Sequence, residues 1–596
     1  MRKVAAFTMI LAMLIVAALV ATLDDTNYLM SGERVEASLN DYDTTTVFFP
    51  DGVPPPTEWN KTFGGTGWDV ANSVIETTDG GLMLAGYTNS SGAGHGDFWL
   101  VKTNSAGRML WDRTFGGPDY DEAQSVIQTV DGGFALAGVT RSYGLGVTDF
   151  WLVKTDSNGN HQWNRTYGGT GLDYLFSLIQ TSDGGYALAG STYRNEINQS
   201  DFYLVKTDGM GNLVWEKTYG ESGWEEAYAA VQTSDGGYAI VGETDSMGAG
   251  GTDIWWVKAA SNGEKQRDQT YGGANNDGAS SLVQTVDGGY VIAGYTESYG
   301  NGIPLYPDVW LVRIDSTGKA RPIWDHSFGG LGADSAESLI ATENGFAMVG
   351  ATQLSNASDH DFWLITTDVA GNLNWSKPYG GSGYDHSYSV IETVDKGFAL
   401  VGDTFSYGAG SADMWLVKTE GSIPQHNIGV IDVTPSKTVV GQGYSLSISV
   451  KVENLGNRAE AFNVSAYANT AIVDTLANLE TIMPGNVVTL VFIWDTNSGQ
   501  FTNGSYTISA EAVIAPPTVD LDPTDNSLVD GVVHVSDPGD IDASGKVNVF
   551  DLFTLGKVYA SHLGDPNWNA NCDIDSSNTV DALDLSLIDE NYGRST

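Results

Sequence analysis

The chain has 596 residues, with 74 Asp plus Glu against 28 Lys plus Arg and a formal net charge of −46. Such an acidic surface repels phosphate backbones and anionic lipid, which excludes nucleic acid as a partner. A single cysteine, Cys572, excludes an intrachain disulfide.

The amino terminus has the pattern of an export element. Arg2 and Lys3 precede an uncharged apolar run from Val4 to Leu23. This order is typical of a cleaved signal peptide, and a retained N-terminal anchor is the alternative, because about 20 apolar residues can span a bilayer. Both interpretations assign residues 1–23 to targeting and make 24–56 a linker. Both predict an extracellular or cell-surface location, with the membrane reached only through an uncleaved N-terminal segment.

The next region, residues 57–420, contains a repeat of seven units. Each unit has a DGG-like turn followed by a strand of the DFWLVK type. Short β-branched and aromatic runs between Gly and Asp turns predict four antiparallel strands per unit, which is typical of a propeller blade, and a β-solenoid is the alternative. The turns begin at Asp79, Asp131, Asp183, Asp235 and Asp287, each 52 residues after the last, and at Glu343 and Asp395.

The seventh unit lacks its fourth strand, and an unassigned strand, EWNKTFGG, precedes the first unit at Glu58–Gly65. If that strand completes the seventh unit, the repeat closes without an open sheet edge. We therefore predict a seven-bladed β-propeller over 57–420. The phrases TYGG, SVIQT, DGGYALAG and DFWLVKTD resemble the repeat propellers of secreted prokaryotic proteins. That resemblance implies a fold but no particular ligand.

A carboxylate recurs in the loop before each first strand, often after an aromatic residue. Two roles stay open for this propeller rim. Its aromatic rings and carboxylates could bind a glycan or cations, or each carboxylate could bind the backbone amides of its own turn. The rim residues are Trp68, Asp69, Tyr120, Asp121, Asp173, Trp224, Glu225, Asp277, Asp334, Tyr384 and Asp385.

The sequence contains no recognisable catalytic constellation. Near-identical repeats offer few unlike titratable groups, and GxSxG, HExxH and a phosphate-binding Gly loop are missing from the sequence. The histidines that interrupt the repeat share no metal-ligand spacing and are interpreted as ordinary surface or loop residues. We expect no catalytic residue, and a polysaccharide-active glycosidase or lyase is the enzymatic alternative. These histidines are His95, His326, His360 and His386.

Residues 427–535 show a different pattern. Apolar and polar residues alternate in YSLSISVKVENLG, AFNVSAYAN and NVVTLVFIWDT, with turns every 8–12 residues. This alternation predicts an Ig-like β-sandwich. The segment resembles the Ig-like modules of bacteria known as cell-adhesion-related (CARDB) domains, which implies a spacer or an adhesion unit.

Two acidic loops follow, DIDASGKVNVFD and DIDSSNTVDALD. In each, oxygen-bearing side chains occupy positions 1, 3, 5, 9 and 12 and a backbone carbonyl is available at position 7, which is the spacing of an EF-hand calcium loop. Position 6 must turn sharply, and Gly545 and Asn578 tolerate such a turn. We predict two Ca²⁺ ions, with these ligands: Asp540, Asp542, Ser544, Lys546, Asn548, Asp551, Asp573, Asp575, Ser577, Thr579, Asp581 and Asp584.

Both loops have Asp rather than Glu at position 12, and each leads into one helical segment only. With a spacing of 33 residues between the loops, residues 537–596 resemble a type I dockerin, a calcium-dependent module that binds a cohesin domain on another polypeptide. This resemblance implies a cohesin-bearing partner. The residues implied to contact it are Val549, Phe550, Lys557, Ala582, Leu583 and Glu590.

The fold class expected from the sequence is therefore mainly β. It comprises a seven-bladed β-propeller, an Ig-like β-sandwich and a small α-helical calcium-binding dockerin with paired EF-hand-like loops. The expected function is that of an exported, non-catalytic, scaffold-associated protein whose propeller presents a ligand-binding face, with glycans among the candidate ligands. A polysaccharide-degrading enzyme carried on a cohesin scaffold and a cell-surface adhesin are the alternatives.

Overall fold

The computed structural model describes residues 54–593, except 194–198, 301–305, 320–321, 354–358, 423–424, 478, 480, 498, 516–519 and 521–522. The expected targeting segment, 1–23, and residues 24–53 of the expected linker lie outside the described residues. No helix in the described ranges is long and apolar enough to cross a membrane.

The repeat region forms seven antiparallel sheets of four strands each. The first strand of every sheet starts at the recurring carboxylate. These first strands are β2 (Asp69–Glu76), β6 (Asp121–Gln128), β10 (Asp173–Gln180), β14 (Glu225–Gln232), β18 (Asp277–Gln284), β22 (Asp334–Thr342) and β26 (Asp385–Glu392). The second strands are β3 (Leu82–Thr88), β7 (Phe134–Thr140), β11 (Tyr186–Tyr193), β15 (Tyr238–Thr244), β19 (Tyr290–Thr296), β23 (Gly345–Thr352) and β27 (Phe398–Thr404).

The third strands carry the DFWLVK motif. They are β4 (Asp97–Thr103), β8 (Asp149–Thr155), β12 (Ser200–Thr207), β16 (Asp253–Ala259), β20 (Asp308–Ile314), β24 (Asp361–Asp368) and β28 (Asp413–Thr419). The fourth strands are β5 (Met109–Phe115), β9 (His161–Tyr167), β13 (Leu213–Tyr219), β17 (Lys265–Tyr271), β21 (Trp324–Phe328), β25 (Leu373–Tyr379) and, for the seventh sheet, β1 (Thr57–Phe63). The unassigned strand of the sequence therefore pairs with β28, with Trp59 opposite Lys418.

Each DGG turn closes the hairpin between the first and second strands. In the first repeat, Asp79 Oδ1 accepts hydrogen bonds from Thr77 Oγ1 at 2.5 Å and from Gly81 N at 3.1 Å. Gly80 has φ +76°, a left-handed conformation that costs glycine little because it has no Cβ. The turn geometry thus explains why Asp and Gly recur together at this position.

Neighbouring sheets pack face to face. All seven residues of β4 are buried, and so are all seven of β8, as expected for strands covered on both sides. Aromatic rings bridge the sheets, for example Phe98 and Trp151 with centroids 4.6 Å apart. Isolated parallel bridges join neighbouring sheets, such as that between Gly96 and Tyr120, and side chains add hydrogen bonds between sheets, as from Asn72 Nδ2 to Glu122 Oε1 at 2.9 Å.

The predicted fold class is wrong in two respects. The repeats form many small four-stranded sheets rather than the predicted closed seven-bladed propeller, and the C-terminal tail contributes only two short α-helices and is not a dockerin. Periodicity specifies the strands and turns inside one repeat, but it does not specify how separate sheets are arranged. The spacing of the loop residues likewise specifies the turns and the starts of the helices. It does not specify the packing of the tail, which lies against the preceding sandwich.

The Ig-like sandwich is confirmed. One sheet has the order β29 (Ile428–Pro435), β31 (Ser445–Asn454), β34 (Val487–Asp495). The other has the order β30 (Val439–Gly441), β36 (Ser527–Ser536), β35 (Gly504–Ile514), β32 (Phe462–Ala468), β33 (Ala471–Leu476). Alternating residues of β31 are buried, and the core contains the fully buried Trp494 and Phe462.

The C-terminal tail consists of two loop-helix units. Helix α1 spans Val549–Val558, a short 3-10 helix spans Ala570–Cys572, and helix α2 spans Ala582–Asn591. Both α-helices begin with a capping box, in which Asn548 or Asp581 binds a backbone amide and Asp551 or Asp584 binds back. A small core joins the units and includes Val547, Leu555, Cys572, Val580 and Ile588. Tyr444 of the sandwich packs against it.

Candidate functional site

The first acidic loop wraps around its own carboxylates. Asp540 accepts the backbone amides of Ser544 and Gly545, both at 3.0 Å. Asp551 accepts the amide of Ile541 at 2.8 Å and that of Asn548 at 2.9 Å. Gly545 adopts φ +81°, so the chain makes its sharp turn at position 6. These bonds hold two carboxylates from opposite ends of the loop side by side.

The second loop repeats this geometry with a different residue at the turn. Asp573 accepts the amides of Ser577 at 2.9 Å and Asn578 at 3.1 Å, and Asp584 accepts that of Ile574 at 2.7 Å. Asn578 adopts φ +67°, the left-handed conformation that Gly545 has in the first loop. The two loops are therefore geometric equivalents despite their different sequences.

Each loop gathers three carboxylates that suit a hard cation. Ligand atoms of Asp540, Asp542 and Asp551 lie within 4.8 Å of one another, and so do those of Asp573, Asp575 and Asp584. The two end carboxylates of each triad are buried, and burial raises the pKa of Asp540 and Asp573 because it removes the hydration of their charged forms. A bound cation would offset that loss, and oxygen ligands of this kind suit Ca²⁺.

The remaining predicted ligands line the same loops. Ser544 Oγ and Asn548 Nδ2 both donate to the carbonyl of Lys546, at 3.3 and 2.8 Å, so that carbonyl faces the inside of the first loop. Ser577 Oγ donates to the carbonyl of Thr579 at 3.1 Å in the second. Asn548 and Asp581 use a side-chain oxygen to cap their helices, through the amides of Phe550 and Leu583.

The second loop is also attached to the sandwich. Lys437, which is 7% exposed, donates from Nζ to the carbonyl of Asp573 and to Ser576 Oγ, the latter at 3.0 Å. Asn571 Oδ1 accepts the amides of Thr438 and Val439 at 3.0 and 3.1 Å. Loss of hydration lowers the pKa of Lys437. These contacts distinguish the second loop from the first, a difference that the spacing of the ligands did not predict.

The residues predicted to contact a partner lie on the outer surface of the two helices. Val549, Phe550 and Leu583 are 55%, 67% and 54% exposed, and Lys557, Ala582 and Glu590 are exposed as well. Large apolar side chains at the start of both helices are therefore accessible to a partner.

The predicted rim separates into buried carboxylates and accessible rings. Asp69, at 0% exposure, accepts the amide of Gly65 at 2.8 Å and the hydroxyl of Ser90 at 2.6 Å. Trp68 and Tyr384 are 45% and 40% exposed, whereas Tyr120 and Trp224 are half-buried. The remaining rim carboxylates are 0–2% exposed and each accepts the amide four residues earlier: Asp121, Asp173, Glu225, Asp277, Asp334 and Asp385. Their placement fits the structural role that was left open.

Polar residues lie together beside the rim, among them His360 and His386, which the sequence pattern had led us to interpret as ordinary surface or loop residues. His386 Nε2 lies 3.5 Å from Glu337 Oε1, and the His386 ring stacks on Tyr388 with centroids 4.6 Å apart. His360 contacts Tyr384, whose ring centroid is 5.0 Å from its own. The sequence carries a signal for Glu337, His386 and Tyr388, because the second and fourth residues of the first strands differ from repeat to repeat while the surrounding residues recur.

Comparison with known proteins defines the class of the central domain. Residues 427–529 match the CARDB family model, and the sandwich topology agrees. This part of the chain is a CARDB Ig-like domain. A crystal structure of the CARDB domain of a Pyrococcus furiosus protein, in complex with di-metal ions, is 22% identical to this chain. The match covers 19% of this chain and 93% of the Pyrococcus furiosus domain, with a TM-score of 0.16.

Two further likenesses each cover about two thirds of the chain. Regulatory protein FlaEY of Caulobacter vibrioides is 25% identical over 477 residues, which cover 69% of this chain and 44% of that protein. The chain thus spans less than half of that relative. A crystal structure of puromycin hydrolase is 12% identical, covers 67% of this chain and 62% of that one, and has a TM-score of 0.37. At TM-scores this low, neither structural likeness bears on ligand or activity.

Proposed function

We propose that this chain is an exported, non-catalytic binding protein that takes up two Ca²⁺ ions in its C-terminal loops and attaches to a partner through the adjoining helices. The observation that supports it is the pair of carboxylate triads, each with ligand atoms within 4.8 Å of one another. A CARDB domain between the repeat region and the tail fits a protein with an adhesive or spacing role.

The attachment step rests on the order of features in the tail. Each triad includes the third residue of a helix, Asp551 or Asp584, and the exposed side chains of Phe550 and Leu583 are their immediate neighbours in sequence. A cation that fixes the loop therefore also fixes the start of the helix that presents these side chains. The cohesin-bearing partner, a glycan ligand and the polysaccharide-degrading alternative stay predictions.

Calorimetric titration of the full chain with CaCl₂, after removal of divalent ions, tests the calcium step. We expect two sites per chain with affinities suited to extracellular calcium, in the range of about 10⁻⁴ to 10⁻³ M for extracellular modules or tighter. Asp542→Asn should remove one site and Asp575→Asn the other, because each substitution takes a carboxylate from its triad. These two residues suit the test because neither caps a helix. Asp589→Asn, on the exposed face of α2, is the matched control and should leave both sites intact.

The absence of calcium uptake by the natural chain would contradict the proposal. Unchanged uptake in the Asp542→Asn, Asp575→Asn double variant would contradict the assignment of these loops. Circular dichroism of each variant shows whether the helices persist, so that a loss of folding is not counted as a loss of ligands.

A further inference from the structure

The first strands of the sheets carry unlike polar residues at two positions that share one face. These are the second and fourth residues of each first strand. Both are partly accessible in the second, third, sixth and seventh repeats, whereas the third residue is buried. In the last four repeats the pairs are Glu226 and Tyr228, Gly278 and Ser280, Ser335 and Glu337, and His386 and Tyr388. Repeats that are otherwise alike therefore differ at these two positions of their first strands.

Glu226 is a buried carboxylate held by phenol groups. It is 9% exposed and accepts hydrogen bonds from Tyr193 and Tyr228, both at 2.9 Å. Tyr193 belongs to the third sheet and in turn accepts a hydrogen bond from Trp224 Nε1 at 3.1 Å. Two sheets thus converge on this one carboxylate, and neither supplies a cationic side chain to it.

Glu243 lies beside Glu226, and its carboxylate occupies space that is free because residue 278 is a glycine. A Cβ at Gly278 would lie 2.3 Å from Glu243 Oε1 and 2.5 Å from the ring of Tyr295, so only glycine leaves room for both. Glu243 is 8% exposed and is hydrogen-bonded to Tyr295. Burial, with the nearby charges of Glu226 and Glu337, raises the pKa of Glu243 to about 7. The fifth repeat therefore gives up a side chain to accommodate a carboxylate of the fourth.

Asp403 adds a carboxylate with an unused acceptor. It is 4% exposed, interacts with His386 and is hydrogen-bonded to Tyr388, while its Oδ1 is buried without a hydrogen-bond partner. A buried carboxylate oxygen left without a partner is costly and is normally matched by a donor. The described residues around Asp403 supply no such donor to Oδ1.

These residues share one electrostatic environment although they belong to different sheets. Glu337 of the sixth sheet acts on Glu243 of the fourth and also contacts His386 of the seventh. No Lys or Arg of the described residues forms an ion pair with Glu226, Glu243, Glu337 or Asp403. Four carboxylates thus face phenols and one imidazole, an arrangement that is expensive without an added positive charge.

The spacing of the carboxylates bears on which kind of cation the cluster would suit. Within the described ranges, the groups of three carboxylates close enough for a single metal ion are the two in the tail. The cluster around Glu243 is therefore too widely spaced for one ion, while its tyrosine rings offer faces that attract organic cations. We propose that this cluster, comprising Glu226, Glu243, Glu337, Asp403 and their tyrosine and histidine neighbours, binds an organic cation through an ammonium or guanidinium group.

The experiment is calorimetric titration of the calcium-loaded full chain with spermidine, and separately with a tri-arginine peptide. Both probes carry organic cationic groups, ammonium in spermidine and guanidinium in the peptide. A difference in their binding tells whether a polyamine or a basic peptide is the ligand. We expect saturable binding of at least one. The Glu226→Gln, Glu243→Gln double variant should weaken it at least tenfold, and Asp403→Asn should weaken it as well. Glu264→Gln is the matched control, because Glu264 is exposed and pairs with Lys217.

Several results would overturn the inference. These are no saturable binding of either probe, equal binding by the double variant, or binding of neutral xylotriose that the same substitutions abolish. If the double variant unfolds, Tyr228→Phe removes one donor to Glu226 while keeping the ring, and unchanged affinity there together with unchanged affinity in Asp403→Asn counts against the site. The tail substitutions Asp542→Asn and Asp575→Asn should leave spermidine binding intact, so failure of the calcium proposal is separately visible.

Discussion

Lys418 Nζ lies 2.8 Å from Asp395 Oδ2, and both side chains are only 7% exposed. The same ion pair recurs at equivalent positions in other repeats, where the Asp is largely exposed, as in Lys206 and Asp183 with side-chain exposures of 6% and 64%. The seventh pair differs because Asn457 of the CARDB domain covers it and donates to Asp395 at 3.2 Å. In the sixth repeat, Thr366 and Glu343 replace both partners together.

This difference in burial predicts unequal effects of one substitution. Asp395→Asn leaves Lys418 buried with only Glu58 nearby at 3.3 Å, and should lower the free energy of unfolding by about 3 kcal/mol. Asp183→Asn should cost about 1 kcal/mol, since Asp183 itself is 64% exposed and water can take its place beside Lys206. Urea unfolding followed by tryptophan fluorescence measures both. Equal losses would show that the CARDB domain does not shield the seventh pair.

Gly116 is required by the carboxylates that pack on it. A Cβ there would lie 1.7 Å from Asp97 Oδ1 and 2.9 Å from Asp121 Oδ2. Gly116→Ala should therefore destabilise the chain by about 2 kcal/mol through overpacking. Gly169→Ala is the control, because a Cβ at Gly169 meets nothing within 4 Å, and it should change stability by less than about 0.5 kcal/mol. Thermal unfolding of the two variants distinguishes these outcomes.

Glu243 predicts a specific pH dependence of stability. Its pKa is raised from 4.5 to about 7 in the folded chain, so the folded state holds a proton that the unfolded state releases near pH 4.5. This contribution is fully present below pH 4.5 and is lost as pH rises to 7, a change of about 3 kcal/mol. Glu243→Gln should flatten the free energy of unfolding over that window, and Glu264→Gln should not. Parallel profiles of wild type and Glu243→Gln would refute the shift.

Calcium should stabilise the tail by mass action. A ligand at one hundred times its dissociation constant stabilises the folded state by about 2.7 kcal/mol per site. Hydrogen exchange of the amides in α1 and α2 should slow on addition of CaCl₂ and recover with EDTA. Amides of the repeat strands, such as those of β8, serve as the internal reference and should not respond. Equal exchange in both helices with and without calcium would contradict the proposed sites.

Much of the local structure could be predicted from the sequence. The strands start at the recurring carboxylates, the DGG turns close hairpins, and Gly545 and Asn578 turn where the loop spacing requires. The resemblance at 427–535 correctly identified the CARDB domain. The prediction of a closed propeller and a dockerin was wrong, since repeat period and loop spacing do not specify how sheets are arranged or what the tail packs against.

The sequence by itself determined the elements, because turns, capping boxes and strand patterns depend on residues close together along the chain. It also determined which repeats have the ion pair, since both partners change together in the sixth. Only the tertiary structure decided that Asp395 is buried, that Lys437 binds the second loop, and that Glu243, Glu337 and Asp403 share one environment. Burial and electrostatic coupling depend on which surfaces meet in space. Asp395 and Asn457 are 62 positions apart along the chain, and Lys437 and Asp573 are 136 positions apart, so neither pair gives a local sign of meeting.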